Sequence, residues 1–369
     1  MNDAAAKKPD REAFIEDLLA HNFTTYFVAT HPHYSKSNPA FRFTPAPVSI
    51  ADPWSWSYAE ARERLMALSS LLTQDEAERR NINFVNPKLK DFMPAAALPT
   101  LRGGIQLLLP GEQAYAHRHS ANAFRLILEA PDKGAYTTVE GNRLPMSFGD
   151  LLLTPNWTWH DHHNEGDSHV IWYDGLDVLM AYWIGGVFYE EMKDVEGRDY
   201  QDVAREAEGL TANFGRGMIH RKRIFPDHIP TSNNTLIYYP YSKTRELLDE
   251  LAGRGEGTPE DGVLVEYVNP VTNGPTFPSM NTQIRLIPAG STLEAMHRTE
   301  NVIFITMEGS ATFNLPDGKT FETGPHDVTA IPSWVPYSIA SSGKEPAVVF
   351  SHADRPVFEA LGFYREAKA

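Results

Sequence analysis

The sequence predicts a mainly β protein in which two small barrels of one design follow an N-terminal helical extension. Three observations lead there. From Leu101 the apolar residues change from helical spacing to short runs set between turn residues. His117, His119 and His160 are spaced so that three imidazoles can converge from two strands. The second half of the chain then repeats the pattern of the first, with those three histidines replaced. The expected organisation is a helical arm over residues 1–95, a metal-binding barrel over 96–180, a mixed connecting segment over 181–262, and a second, metal-free barrel over 263–369.

Each element has a local reason. In residues 11–21, Phe14, Leu18 and Leu19 form one apolar helical stripe. Residues 31–53 are rich in Pro, Ser and Asn and predict an extended arm, where His31 and His33 flank a proline and are expected to be solvated. Ser57-Tyr58-Ala59-Glu60 is a capping box, and Leu65, Leu68 and Leu72 follow at helical spacing, so a helix is expected to about Arg80. Residues 104–109, 124–129, 135–139, 150–154 and 169–173 read as strands. Leu247, Leu248 and Leu251 predict a helix over 243–253 with a glycine stop, and strand patterning returns at Val263.

The repeat is specific. Aligning Pro110-Gly111 with Ala289-Gly290 sets His117 against Met296, His119 against Arg298, Asn122 against Asn301 and Glu129 against Glu308. Asp150, Pro155 and Trp157 then match Asp327, Pro332 and Trp334, and His160 faces Tyr337. His297 and His326 do not restore the lost pattern.

Composition bounds the function. The chain has 369 residues, a formal charge of −15 and no cysteine. Such acidity disfavours nucleic acid as a partner, and the ligands available to a metal reduce to His, Asp and Glu. No apolar run is long enough to span a bilayer, and residues 1–11 are polar, so a cytoplasmic protein is expected.

His117 and His119, two apart on a strand, share a face. His160 arrives about forty residues later, after Gly149-Asp150 turns the chain. Gly111, five residues, then His117-x-His119, followed by Gly149, Pro155, Trp157, His160 and Asn164, is similar to the two motifs of the cupin barrel, with Trp157 where the second motif carries glycine. Many cupins add a glutamate four or five residues after the second histidine. Ala123 and Phe124 stand there, followed by Arg125. Three neutral imidazoles leave a divalent ion both charges and half its coordination sphere, which suits a substrate that chelates through two anionic oxygens. Zinc uses the same ligand set, so the histidines alone do not choose the metal.

The surrounding residues narrow the resemblance. His117-Arg118-His119-Ser120-Ala121-Asn122-Ala123-Phe124-Arg125 resembles a segment of the gentisate and salicylate 1,2-dioxygenase family, as do residues 149–155 and Asp174-Gly175-Leu176-Asp177. Glu78-Arg79-Arg80 with Asn86-Pro87, and Pro332-Ser333-Trp334, resemble the same family farther out. The resemblance runs from about residue 50 to the C-terminus. It implies a bicupin that uses iron(II), with manganese as an alternative, and dioxygen to open a small aromatic acid between its carboxyl- and hydroxyl-bearing carbons. It also implies a homo-oligomer, a tetramer. By similarity His117, His119 and His160 are the metal ligands, Arg79 and Arg125 hold the substrate carboxylate, Gln106 and His162 hydrogen-bond the phenolate or oxygen with His162 as a candidate acid/base, and Asp174 either faces the far side of the ring or orients the residues that do.

Two positions depart from the family. Arg102 stands where an aromatic residue is common, and Asn81 where a smaller or more apolar one is. With Trp172 they are assigned to specificity; Arg102 implies a polar or electron-poor 5-substituent, nitro for example. Gentisate, salicylate, 5-substituted salicylates such as 5-nitrosalicylate, and then 1-hydroxy-2-naphthoate are the candidate substrates. Two other classes remain: a manganese or zinc cupin that decarboxylates, isomerises or hydrolyses without oxygen, and a non-catalytic bicupin that binds a small molecule. Oxygen uptake separates the first, and bound metal the second.

Overall fold

A computed structural model describes residues 10–30, 44–73, 76, 80–207 and 236–369. Strands dominate it. Residues 1–50 form one compact unit and 51–369 another. In the first, the Arg11–Ala20 helix is capped by Asp10, whose carboxylate accepts from Glu12 N–H. Its buried residue is Ile15, while Phe14 and Leu19 stay about half exposed. His31 and His33 lie outside the described residues.

In the second unit the predicted barrels appear as several hydrogen-bonded sheets. One six-stranded sheet runs, in spatial order, Tyr238–Tyr239, Leu151–Thr154, Ala123–Glu129, Val170–Leu176, Arg102–Leu108 and Arg80–Asn83. A second runs Tyr189–Glu191, Gln113–His119, His160–Asn164, Ala135–Val139, Asn142–Pro145 and Arg205–Glu206. The C-terminal half repeats the first sheet as seven strands, with Ala347–Ala353 between Val302–Glu308 and Asn281–Ile287 as Val170–Leu176 lies between Ala123–Glu129 and Arg102–Leu108. The sheets are antiparallel apart from the parallel pairing of Arg205–Glu206 with Asn142–Pro145.

The repeat extends beyond the strands. Ser57 caps the Tyr58–Leu71 helix as its capping box predicts, accepting from Glu60 N–H at 3.4 Å. The helix ends at Leu71 and not near Arg80. A second box stops it: Thr73 and Glu76 exchange side-chain-to-backbone hydrogen bonds, and Arg80 already belongs to a strand.

This helix braces both barrels. Tyr58 N–H donates to Asp327 of the second at 2.7 Å, while its hydroxyl and Arg62 Nε both reach Glu129 of the first at 2.7 Å. The Tyr241–Gly253 helix does the reverse. Tyr241 N–H donates to Asp150 of the first barrel at 2.8 Å, and its hydroxyl and Arg245 reach Glu308 of the second. Gly149 is required here, because its φ is +78° and a Cβ would lie 2.3 Å from the Tyr241 ring.

The edge strands are exchanged in the same sense. Trp54–Trp56 precedes the first barrel and pairs with Val328–Ile331 of the second; Tyr238–Tyr239 precedes the second and pairs with Leu151 and Leu152 of the first. One edge of a sheet in each half is thereby covered by a strand that precedes the other half.

A third reciprocal clasp joins loops. Asn122 donates through its backbone and side chain to Asp177, which also accepts from Ser279; Asn301 does the same to Asp354, which accepts from Thr100. Burial raises both carboxyls above the usual range, Asp354 to about 6. Between the barrels, Phe124 meets Phe350 with ring centroids 5.5 Å apart, a pair contributing roughly 1 kcal/mol. The Tyr173 hydroxyl lies 2.8 Å from His352 Nε2, and burial pushes that imidazole down to about 3.

Candidate metal centre and its cavity

His117 and His119 lie at the end of the Gln113–His119 strand, and His160 opens the strand paired with it, Cα-opposite His117. The ring centroids of His117 and His160 are 4.1 Å apart, and those of His119 and His160 are 4.9 Å apart. One ring nitrogen from each of the three lies within 4.8 Å of the others. Each Nδ1 is 2.9 Å from a backbone carbonyl: Tyr115 for His117, Ala121 for His119 and Thr158 for His160. A carbonyl accepts only, so Nδ1 carries the proton and the Nε2 lone pair is left to a metal. The donor set fits a divalent transition ion with open positions. Among the described residues this is the one His/Cys/Asp/Glu group able to hold a metal.

Trp157 explains its own place in the motif. Its φ is +62°, the left-handed region that the usual glycine adopts freely, and Trp334 repeats it at +63°. The strain, about 1–2 kcal/mol, is offset by a 2.9 Å bond from Trp157 N–H to His119 O and by the Arg118 guanidinium 4.4 Å from the indole centroid.

The matching position in the second barrel is occupied by charge. Arg298, in the place of His119, donates to both oxygens of Asp261 at 3.0 Å and to the Tyr337 hydroxyl at 3.1 Å; Arg285 also donates to Asp261. His297 stacks on Trp334 and His326 packs against Tyr58.

A cavity of about 320 Å³ opens beside His119. Asn81, Arg102, Gln106, Arg125 and Asp174, all expected site residues, line it. Strand register places them: Asn81 faces Gln106, and Arg125 faces Asp174. Arg125 is 2% exposed; its Nη1 donates to Thr154 at 2.6 Å, and its Nε lies 3.6 Å from Asp174 Oδ1, which also accepts from Trp172 Nε1 at 3.1 Å. The guanidinium is thus fixed at the cavity wall between a hydroxyl and a carboxylate. Gln106 is 3% exposed, and its Nε2 has no hydrogen-bond partner among the described residues. Arg102 Nε donates to Asn83 at 2.7 Å.

Two expected residues stand back from the cavity surface. His162 lies on the same face as His160, with Nδ1 2.8 Å from the Thr137 hydroxyl, and Trp172 is fully buried 5.0 Å from the His162 ring. Neither lines the cavity. Arg79 lies outside the described residues.

One wall was not anticipated. Val187, Phe188 and Tyr189 line the cavity, and Tyr189 stacks on His117 at 5.5 Å. They belong to what the sequence suggested was a mere connection. The available signal was the apolar run that follows Gly185-Gly186.

Comparison with known proteins gives this geometry a context. A cupin domain profile matches residues 104–179. The chain is 33% identical over 329 residues to gentisate 1,2-dioxygenase 1 of Aquipseudomonas alcaligenes, covering 88% of this chain and 89% of that protein. It is 35% identical over 331 residues to the 1-hydroxy-2-naphthoate 1,2-dioxygenase of Nocardioides sp. strain KP7, covering 88% and 81%. The crystal structure of salicylate 1,2-dioxygenase from Pseudaminobacter salicylatoxidans superposes with a TM-score of 0.83 at 27% identity, covering 98% of both chains. That enzyme has also been crystallised as adducts with gentisate.

Proposed function

The chain belongs to the gentisate and salicylate 1,2-dioxygenase family and is a ring-cleaving dioxygenase; from that premise we propose that iron(II) on His117, His119 and His160 serves the opening of a monocyclic ortho-hydroxybenzoate. The observation that carries it is the convergence of three Nε2 atoms beside a cavity walled by a buried arginine. Iron(II) supplies the redox chemistry through which dioxygen reacts with the ring.

The chain's own residues bind and orient. Arg125, immobilised by Thr154 and Asp174, presents a fixed guanidinium to the carboxylate. Against a formal charge of −15, Arg125 and Arg102 together outnumber the one carboxylate of the cavity lining, Asp174, and draw an anion in. The Gln106 amide gains from a substrate oxygen the acceptor it lacks among the described residues. His162, held by Thr137 on the face that carries His160, stands behind the cavity surface as the candidate acid/base for the phenolate or oxygen, which it reaches once substrate fills the space beside His160. Asp174 holds Arg125 and Trp172 in place. The apolar Leu176, Val178 and Phe188 side chains exclude water from the ring.

Asn81 and Arg102 present polar atoms to the same cavity and select among ring substituents, with Trp172 acting through the His162 face. No helix among the described residues is long and apolar enough to cross a membrane; we place the enzyme in the cytoplasm as a homo-oligomer, a tetramer. The test is oxygen consumption after anaerobic loading with iron(II), across salicylate, gentisate, 5-chlorosalicylate, 5-nitrosalicylate and 1-hydroxy-2-naphthoate, with benzoate and catechol as controls. Stoichiometric uptake confined to the ortho-hydroxy acids is expected. Bound iron without uptake for any of them discards the proposal.

A further inference from the structure

Arg118 sits between the two ligands His117 and His119, but its side chain serves the opposite face of the strand. There the guanidinium carbon lies 4.4 Å from one Trp157 ring centroid and 4.3 Å from that of Trp159. Nε and Nη2 both donate to Glu190 Oε2, at 2.9 and 2.6 Å. Glu190 is Cα-opposite Arg118 in the register that also sets Tyr189 against His119 and Glu191 against His117.

The strand so held, Tyr189–Glu191, is three residues long and forms the outer edge of its sheet. Its C-terminal end is anchored by Met192, buried with Ala116 and Trp159; its N-terminal end has less to hold it. The preceding Val178–Trp183 helix has no buried residue, and Ile184 is 80% exposed. Ser120 and Phe188 exchange two hydrogen bonds at 3.0 and 3.1 Å, and Phe188 packs edge-on against Trp157. The N-terminal end of a short edge strand, preceded by an exposed segment, opens easily unless a specific clasp closes it. A two-indole sandwich around a forked ion pair is such a clasp, and Trp157, bent into the left-handed region, supplies one side of it.

We propose that Arg118 is a positioning residue: through Glu190, Trp157 and Trp159 it clamps the Phe188-Tyr189 wall to the ligand strand and so sets how bulky a ring the cavity admits. This rests on the ring-cleaving site proposed above. It assigns Arg118 no contact with metal or substrate. Its effect is on the width of the cavity and not on the charge of the site.

The test uses Arg118→Lys, which keeps the charge and loses the fork, and Glu190→Gln, which keeps the shape and loses the ion pair. Two measurements are made on the full chain loaded with zinc, which does not turn over. Hydrogen exchange of the ligand-free protein should speed up at residues 186–191 in both variants, with zinc stoichiometry unchanged. The ratio of dissociation constants for 1-hydroxy-2-naphthoate over salicylate should fall at least fivefold, because the loosened wall admits the second ring. Wild-type exchange at 186–191, an unchanged ratio, or loss of zinc would each overturn the proposal. Failure of the wild-type protein to bind either acid would retire the ring-cleaving site and this assignment together, and the exchange data would still report whether the clasp exists.

Discussion

Replacing Glu129 with glutamine tests the brace between the barrels. Its carboxylate accepts from the Tyr58 hydroxyl at 2.7 Å, from Arg62 at 2.7 and 3.0 Å, and from His169 Nε2 at 2.7 Å. Burial alone raises its pKa, but the bonds from Arg62, His169 and Tyr58 outweigh that and bring it down to about 2 from 4.5. The fall corresponds to about 3 kcal/mol in favour of the charged form. A quarter of the side chain remains exposed, and solvent screening there brings the expected loss on Glu129→Gln to about 2 kcal/mol at pH 7. The sign follows from the depressed pKa. The stabilisation is complete above pH 4.5, and it is lost as pH falls through about 2. Urea unfolding of both proteins at pH 7, 5, 4 and 3 should show a full difference at 7 and 5 that narrows below. Equal stability at pH 7, or a difference that widens on acidification, would refute the argument.

Asp354 predicts the opposite slope. Its buried carboxyl is raised to about 6 from 3.8, so the folded protein keeps a proton that the unfolded chain loses, and stability drains as pH climbs between those values. In Asp354→Asn that segment of the pH–stability curve should flatten, whatever the offset in absolute stability. Removing one imidazole with His119→Ala should lower metal affinity by more than a hundredfold and take oxygen uptake to background; full activity in that variant would remove the metal centre from the account. Arg102→Tyr should reorder the rates for 5-substituted salicylates, lowering 5-nitrosalicylate relative to salicylate by about tenfold, and an unchanged ranking would show that Arg102 does not select.

The positions legible from the sequence are those where residue type and spacing fix local geometry. The histidine pair on one strand face, the Ser57 cap and the matched Asp150/Asp327 and Trp157/Trp334 positions are all of that kind. The extended helix was misjudged because Leu72 continued an apolar spacing, while Thr73 and Glu76 carried a second cap signal that outweighed it. The braces were readable in principle: Tyr58 with Arg62 and Tyr241 with Arg245 are the same four-residue spacing. What spacing could not disclose is that each helix reaches into the other half, since that depends on contacts between residues 269 and 91 positions apart. The same limit hid the Phe188-Tyr189 wall, whose place is set by pairing to Arg118 and His119. Trp172 shows the converse. Its residue type suited a pocket wall, yet tertiary packing puts it behind His162.

The exchanged edge strands also dictate an order of events during synthesis. Ser55 bonds across a gap of 273 residues to Val328. At roughly 5–20 residues per second, a ribosome needs about 14–55 s to cover that distance. Through that interval the Trp54–Trp56 segment has no partner strand, and the nascent first barrel lacks the Tyr238–Tyr239 strand until the second half begins to emerge. The histidine-bearing half therefore completes its sheet only when residues 238 and 239 have emerged, and the Trp54–Trp56 strand waits longer still for Val328–Ile331. A truncated chain that ends after the third histidine has every ligand but an open seam, because the strand that closes it lies more than seventy residues farther on.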